Sequence, residues 1–159
     1  MVLMDGLQEP VNITTIDDAT KEAVSTLIAQ GYPGAERYVE RRFYSRSFRR
    51  GGRPVFFLGR SQEGKVAAIG CMEIYEHNNV STAFIREVVV DGAIRTAEME
   101  RSIFNRLVSW AAFLFRVDVI KVDDRACLVS KEVFLQAMFH HYEGSHLWRR
   151  SNLPSGDHQ

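Results

Sequence analysis

The sequence predicts a mixed α/β fold, a mostly antiparallel central sheet flanked by helices, and three features of it point there. Short β-rich runs follow one another over 54–90, a strongly amphipathic helix follows directly on the last of them, and a further strand, helix and strand close the chain. At 159 residues, 45% of them hydrophobic, the chain has the size and apolar content for one domain with a core that needs no disulfide or metal. Residues 1–10 are expected as a loose leader, 11–150 as the domain and 151–159 as a polar tail.

Taken in order, Val11 to Ile16 reads as a short strand. Asp17 is placed to cap a helix whose stripe Thr20, Ala23, Val24, Leu27 and Ile28 stops at Gly31. A second helix is expected over 35–48, ended by Gly51 and Gly52. Pro54 to Leu58 and Val66 to Tyr75 are strands joined by a hairpin turn at Ser61 to Gly64, and His77, Asn78 and Asn79 turn the chain into a strand from Thr82 to Val90. Met99, Ile103, Leu107, Trp110, Ala111 and Leu114 recur at helical spacing. Val117 to Val122 reads as a buried strand. Ser130 caps a helix expected to reach His141, with Val133, Phe134, Ala137 and Met138 inward, and Ser145 to Arg150 forms the last strand. The expected order is β-α-α-β-β-β-α-β-α-β, a meander feeding a crossover, with helices on both faces. In such a fold the helix after strand 82–90 starts at the carboxyl end of the sheet, where ligands bind.

Charge and composition exclude several classes. Twenty basic residues balance twenty acidic ones, so no global field draws the chain to nucleic acid or an anionic membrane. No apolar run approaches the roughly 18–20 residues of a membrane span. Cys71 and Cys127 lie in apolar surroundings without metal-ligand spacing, as reduced thiols of a cytoplasmic or nuclear protein would. His140, His141 and His146 lack the accompanying Cys or Asp spacing of a metal site, and none is expected.

The balance hides a local asymmetry. Over 36–53, seven arginines (Arg37, Arg41, Arg42, Arg46, Arg49, Arg50 and Arg53) face two glutamates, seven minus two giving +5, and leave −5 on the remainder. Arginine without lysine suits bidentate contact with carboxylate or phosphate. The segment is therefore either a docking surface for an acidic protein, a nucleic-acid contact whose affinity falls steeply with salt, or the solvated face of a helix.

Particular stretches resemble a known family. Gly64 to Gly70 in the hairpin, Phe84 to Val90 in the central strand, Phe104 to Trp110, Val119 to Asp123, Val133 to Phe139 and Leu147 to Arg150 are similar to the Gcn5-related N-acetyltransferases (GNAT), and within them to glucosamine-6-phosphate N-acetyltransferases. The resemblance implies an acetyl-CoA-using fold, a homodimer, and cofactor contacts from the backbone at Val88 and Val90 with Arg95, Ala97 and Arg101. It further implies Glu87 or Asp123 as acid–base residues of an active enzyme, and Arg86, Asp123 and Arg150 at the substrate.

The family's phosphate-binding turn, Arg/Gln-x-x-Gly-x-Gly/Ala, uses glycines so that the backbone can approach the diphosphate at a helix start. Here the turn reads Arg95-Thr96-Ala97-Glu98-Met99-Glu100, with glutamate at both glycine positions. Acids in a first helical turn favour the helix dipole by about 0.3–1 kcal/mol each, and the same charges repel a diphosphate. The family's tyrosine, which resembles a proton donor to the leaving thiolate, falls on Phe134. The expected protein is therefore a catalytically degenerate member that binds another macromolecule through Arg37, Arg41, Arg42, Arg46, Arg49 and Arg50, with no cofactor. The alternative is an active N-acetyltransferase that uses acetyl-CoA.

Overall fold

The computed structural model describes residues 7, 11–13, 17–31, 52–125, 127 and 129–152. They form one sheet of seven strands: β1 (Val11–Ile13), β2 (Arg53–Arg60), β3 (Val66–His77), β4 (Val80–Val90), β5 (Val119–Asp123), β6 (His140–His141) and β7 (Leu147–Ser151), ordered β1-β2-β3-β4-β5-β7-β6. Every pairing is antiparallel except β4 with β5. The helices are α1 (Asp18–Gly31), α2 (Ala97–Ser109) and α3 (Lys131–Gln136). The second helix expected over 35–48 lies outside the described residues. Leu7, within the segment read as a loose leader, bridges to Ser61 and is 2% exposed.

Each element begins as its residues dictate. Thr20 donates from its N–H and its hydroxyl to the Asp17 carboxylate, at 2.8 and 2.6 Å, closing the start of α1. Asn78 and Asn79 take left-handed φ of 50° and 62°, which suits the two-residue turn joining β3 to β4. Thr96 accepts the Met99 N–H at 3.1 Å and opens α2.

Two cores divide the sheet. On one face α1 packs Val24, Leu27 and Ile28 against Phe56, Leu58, Ile69, Cys71 and Val89. On the other, Met99, Ile103, Phe104 and Leu107 of α2 and Val133 and Phe134 of α3 cover Val55, Phe57, Met72, Ile85, Val88 and Val90. Gly70 lets α2 approach the sheet: a Cβ there would lie 2.8 Å from Leu107 Cδ1. Both cysteines are buried and neither is joined in a disulfide. Among the described residues no helix is long and apolar enough to cross a membrane.

Two expected boundaries are corrected. The long helix is α-helical only to Ser109. Trp110–Leu114 winds as a π-turn, which rotates the stripe and leaves Phe113 and Leu114 exposed, although Leu114 was expected inward. The helix expected to reach His141 ends at Gln136. Met138, at φ 69°, turns the chain, Phe139 N–H donates to the Phe134 carbonyl and Met138 N–H to that of Leu135. This is a Schellman stop. His140 and His141 then form β6 against Arg149 and Trp148, and Gly144 serves the β6–β7 turn.

Candidate functional site

The site begins with an irregularity in β4. Gly70 faces Val88 and Met72 faces Ile85, so Cys71 alone opposes both Arg86 and Glu87. This bulge changes which residues face α2: Ala83 and Ile85 before it, Val88 and Val90 after it. Beside the bulge β4 and β5 part company. Their parallel pairing runs from Thr82–Val119 to Ile85–Val122, and none is present beyond.

A cleft of about 480 Å³ lies alongside, lined by Gln30, Gly31, Val88, Val89, Val90, Gly92, Arg95 and Glu100. Asp91 N–H donates to Ala67 on β3 at 2.8 Å, so by strand alternation the N–H and C=O groups of Val88 and Val90 face away from β3, into the gap. At the start of α2 the N–H of Met99 is taken by Thr96 Oγ1 and that of Glu100 by the Thr96 carbonyl. Helix geometry leaves the N–H groups of Ala97 and Glu98 without a partner inside the helix.

The two glutamates behave differently. Glu98 leans to solvent, where its carboxylate accepts from Arg101 at 3.1 Å. Glu100 turns into the cleft, 24% exposed, with its Oε1 3.7 Å from Arg95 Nε. Burial pushes the Glu100 carboxyl above its ordinary value, with Arg95 pulling against it. Cys127 lies fully buried in the same neighbourhood. Its thiol is pushed up to about 12 by burial, and the Glu87 and Glu100 charges add to the rise.

Of the residues expected at a cofactor, the structure brings Val88, Val90 and Arg95 together around the cleft, while Arg101 is turned to Glu98 and Ala97 opens the helix. Glu87 is buried at the bulge. The residues expected at a substrate are placed separately. Arg86 lies 3.7 Å from Glu73 and 4.3 Å above the Phe84 ring. Asp123 accepts from the Arg125 guanidinium at 2.9 Å, which holds its carboxyl below the ordinary range. Arg150 donates to the Ala137 carbonyl at 3.2 Å, beside the end of α3. Arg37, Arg41, Arg42, Arg46, Arg49 and Arg50 lie outside the described residues. Phe134 is fully buried, 5.1 Å from Phe104 and 5.4 Å from Trp148 between ring centres.

Sequence reasoning missed Gln30 and Gly31, which reach the cleft through the packing of α1 on β4, and Gly92, in the turn directly after β4. It also missed a second polar centre. The Asp124 carboxylate, 7% exposed, bonds His146 Nδ1 at 2.8 Å and accepts from Trp148 Nε1 at 3.1 Å, with Lys131 Nζ 3.9 Å away. Asp123 and Asp124, adjacent in sequence, thus serve different partners.

This architecture has known counterparts. An acetyltransferase of the GNAT family from Staphylococcus aureus Mu50 superposes with a TM-score of 0.63 at 11% identity, covering 91% of this chain and all of its own. The chain has the GNAT fold. An acetyltransferase of Trypanosoma brucei matches with a TM-score of 0.59 at 15% identity over 85% of this chain and 95% of its own. Arabidopsis thaliana NAA60, solved with a bisubstrate analogue, matches at 0.59 and 10% over 90% and 98%. No protein-family model matches the chain, and no curated protein matches its sequence. At these identities the likeness is one of fold.

Proposed function

We propose that this chain is an acetyltransferase-like GNAT-fold protein that has given up ordinary acetyl-CoA-dependent transfer and works by binding another macromolecule, as a homodimer. The observation that supports this most is Glu100, a partly buried carboxylate inside the cleft and beside Arg95, where a diphosphate would need donors. A carboxylate about 5 Å from one phosphate charge costs roughly 3 kcal/mol at an effective dielectric near 20, enough to remove useful affinity. Phe134 adds to this, since a buried phenyl ring has no proton to give a departing thiolate. The arginine-rich stretch from Arg37 to Arg53 is the proposed contact for an acidic protein partner, on the strength of its charge.

Calorimetry with acetyl-CoA tests the reading. Wild type is expected to show no binding and Glu100→Gly to gain it, and low-micromolar binding by wild type overturns the proposal. One observation favours the alternative, an active N-acetyltransferase on glucosamine 6-phosphate or a related amine: Glu98 is already held outward by Arg101, so a single carboxylate obstructs the cleft. That alternative falls if purified protein forms no acetylated product at millimolar acetyl-CoA.

A further inference from the structure

Among the described residues, β4 beyond the bulge has one neighbouring strand. β3 pairs with Val88, Val89 and Val90, while the ladder to β5 has ended at Ile85. Over these residues, roughly 10 Å at 3.3 Å per residue, Val88 and Val90 turn their N–H and C=O groups into a cleft walled by valine side chains and by Gln30 and Gly31 of α1. An extended polypeptide presents the matching groups at the matching repeat. Strand addition of this kind draws affinity from main-chain hydrogen bonds and specificity from alternate side chains.

Charge selects the side chain. Glu100 lies in the lining, and among the described residues the cation nearest it, Arg95, is 3.7 Å away and 59% exposed. That separation is too long for a hydrogen bond, so a second cation arriving from within the cleft gains a direct charge-assisted contact. We propose that the cleft is a docking slot for an extended peptide segment bearing lysine or arginine, which adds to β4 at Val88 and Val90 and seats its basic side chain on Glu100. The inference rests on the reading above, that this protein works by macromolecular binding, and adds a second surface to it, one for a basic extended segment, separate from the acidic-partner contact proposed at residues 37–53.

The test is fluorescence polarisation with three labelled pentapeptides: Val-Lys-Val-Lys-Val, its counterpart with glutamate for lysine, and the lysine peptide with alternate amides N-methylated. The lysine peptide is expected to bind wild type at least about tenfold more tightly than the glutamate peptide, the equivalent of one charge-assisted contact. N-methylation is expected to abolish binding, and Glu100→Gln to remove the preference for lysine. Absence of binding, equal binding of lysine and glutamate peptides, equal binding of the N-methylated peptide, or a preference that survives in Glu100→Gln overturns the proposal. The N-methylated arm uses wild-type protein and stands whatever the variant does to folding. Low-micromolar acetyl-CoA binding that displaces the peptide overturns the parent reading. Failure of the peptide with no acetyl-CoA binding overturns the docking slot alone.

Discussion

Met138 occupies a backbone conformation that its side chain opposes. With φ at 69° it fills the turn position of the Schellman stop after α3, a position where glycine is the usual residue. A left-handed conformation costs a residue with a Cβ about 1–2 kcal/mol. Glycine removes that cost but makes the unfolded chain more flexible, which returns about 0.5–1 kcal/mol. The side chain is 67% exposed, so little packing is lost with it. Met138→Gly is therefore expected to stabilise the fold by about 0.5–1 kcal/mol, a rise of roughly 1–4 °C in Tm for a chain of this length. Urea unfolding followed by circular dichroism measures it, with Met138→Ala as a control that keeps the Cβ and should gain nothing. A midpoint that stays put or falls for the glycine variant, at unchanged denaturant slope, refutes the reasoning.

Two other substitutions probe the core and the second polar centre. Phe134→Tyr places a hydroxyl in a fully buried aromatic cluster and should cost about 1–3 kcal/mol of stability without creating acetyl transfer, measured by thermal melts and a thiol-release assay. Transfer activity at unchanged stability would contradict that placement. Asp124→Ala removes the acceptor from Trp148 Nε1 and the partner from His146, and should cost about 1–3 kcal/mol at neutral pH. Burial pushes the Asp124 carboxyl up, but the hydrogen bonds with Trp148 and His146 outweigh it and hold it below 3.8. The proton thus binds more weakly in the folded chain than in the unfolded one. The carboxylate's contribution is complete above 3.8 and is lost as pH falls through the lower folded value, so the gap between wild type and variant should narrow on acidification, as paired melts would record.

Much of the fold was legible because local chemistry and tertiary structure agree. Asp17 caps α1, Asn78 and Asn79 make their turn, and the stripe Met99, Ile103, Leu107 packs inward as its spacing says. The failures share a cause, since each depends on a backbone state that residue type does not announce. Met138 halts a helix that its composition would continue, and the π-turn at Trp110 shifts the stripe by one residue so that Leu114 faces solvent. At the site, Val88, Val90 and Arg95 were visible through their place between strand and helix. The opposite directions of Glu98 and Glu100 were not, because neighbouring groups decide them: Arg101 draws one outward and Arg95 stands beside the other. Asp124, His146 and Trp148 meet across 22 and 24 residues of chain, a distance over which no sequence spacing speaks.

The bulge at Arg86 and Glu87 carries a consequence for how β4 can change. Without it the strand would keep one phase, and Glu87 and Val89 would follow Ala83 and Ile85 against α2. Because two residues oppose Cys71, the phase is reset halfway, and the second half of the strand is read on the even positions. One strand therefore holds two independent alternations that meet at a buried acid. Losing either Arg86 or Glu87 would leave one residue opposite Cys71 and make the pairing regular, with Ile85, Val88 and Val90 all still on the α2 side. Pairing the strand regularly with both residues kept would instead exchange the occupants of the two cores in the second half, bringing Val89 to the α2 side and sending Val88 and Val90 to α1.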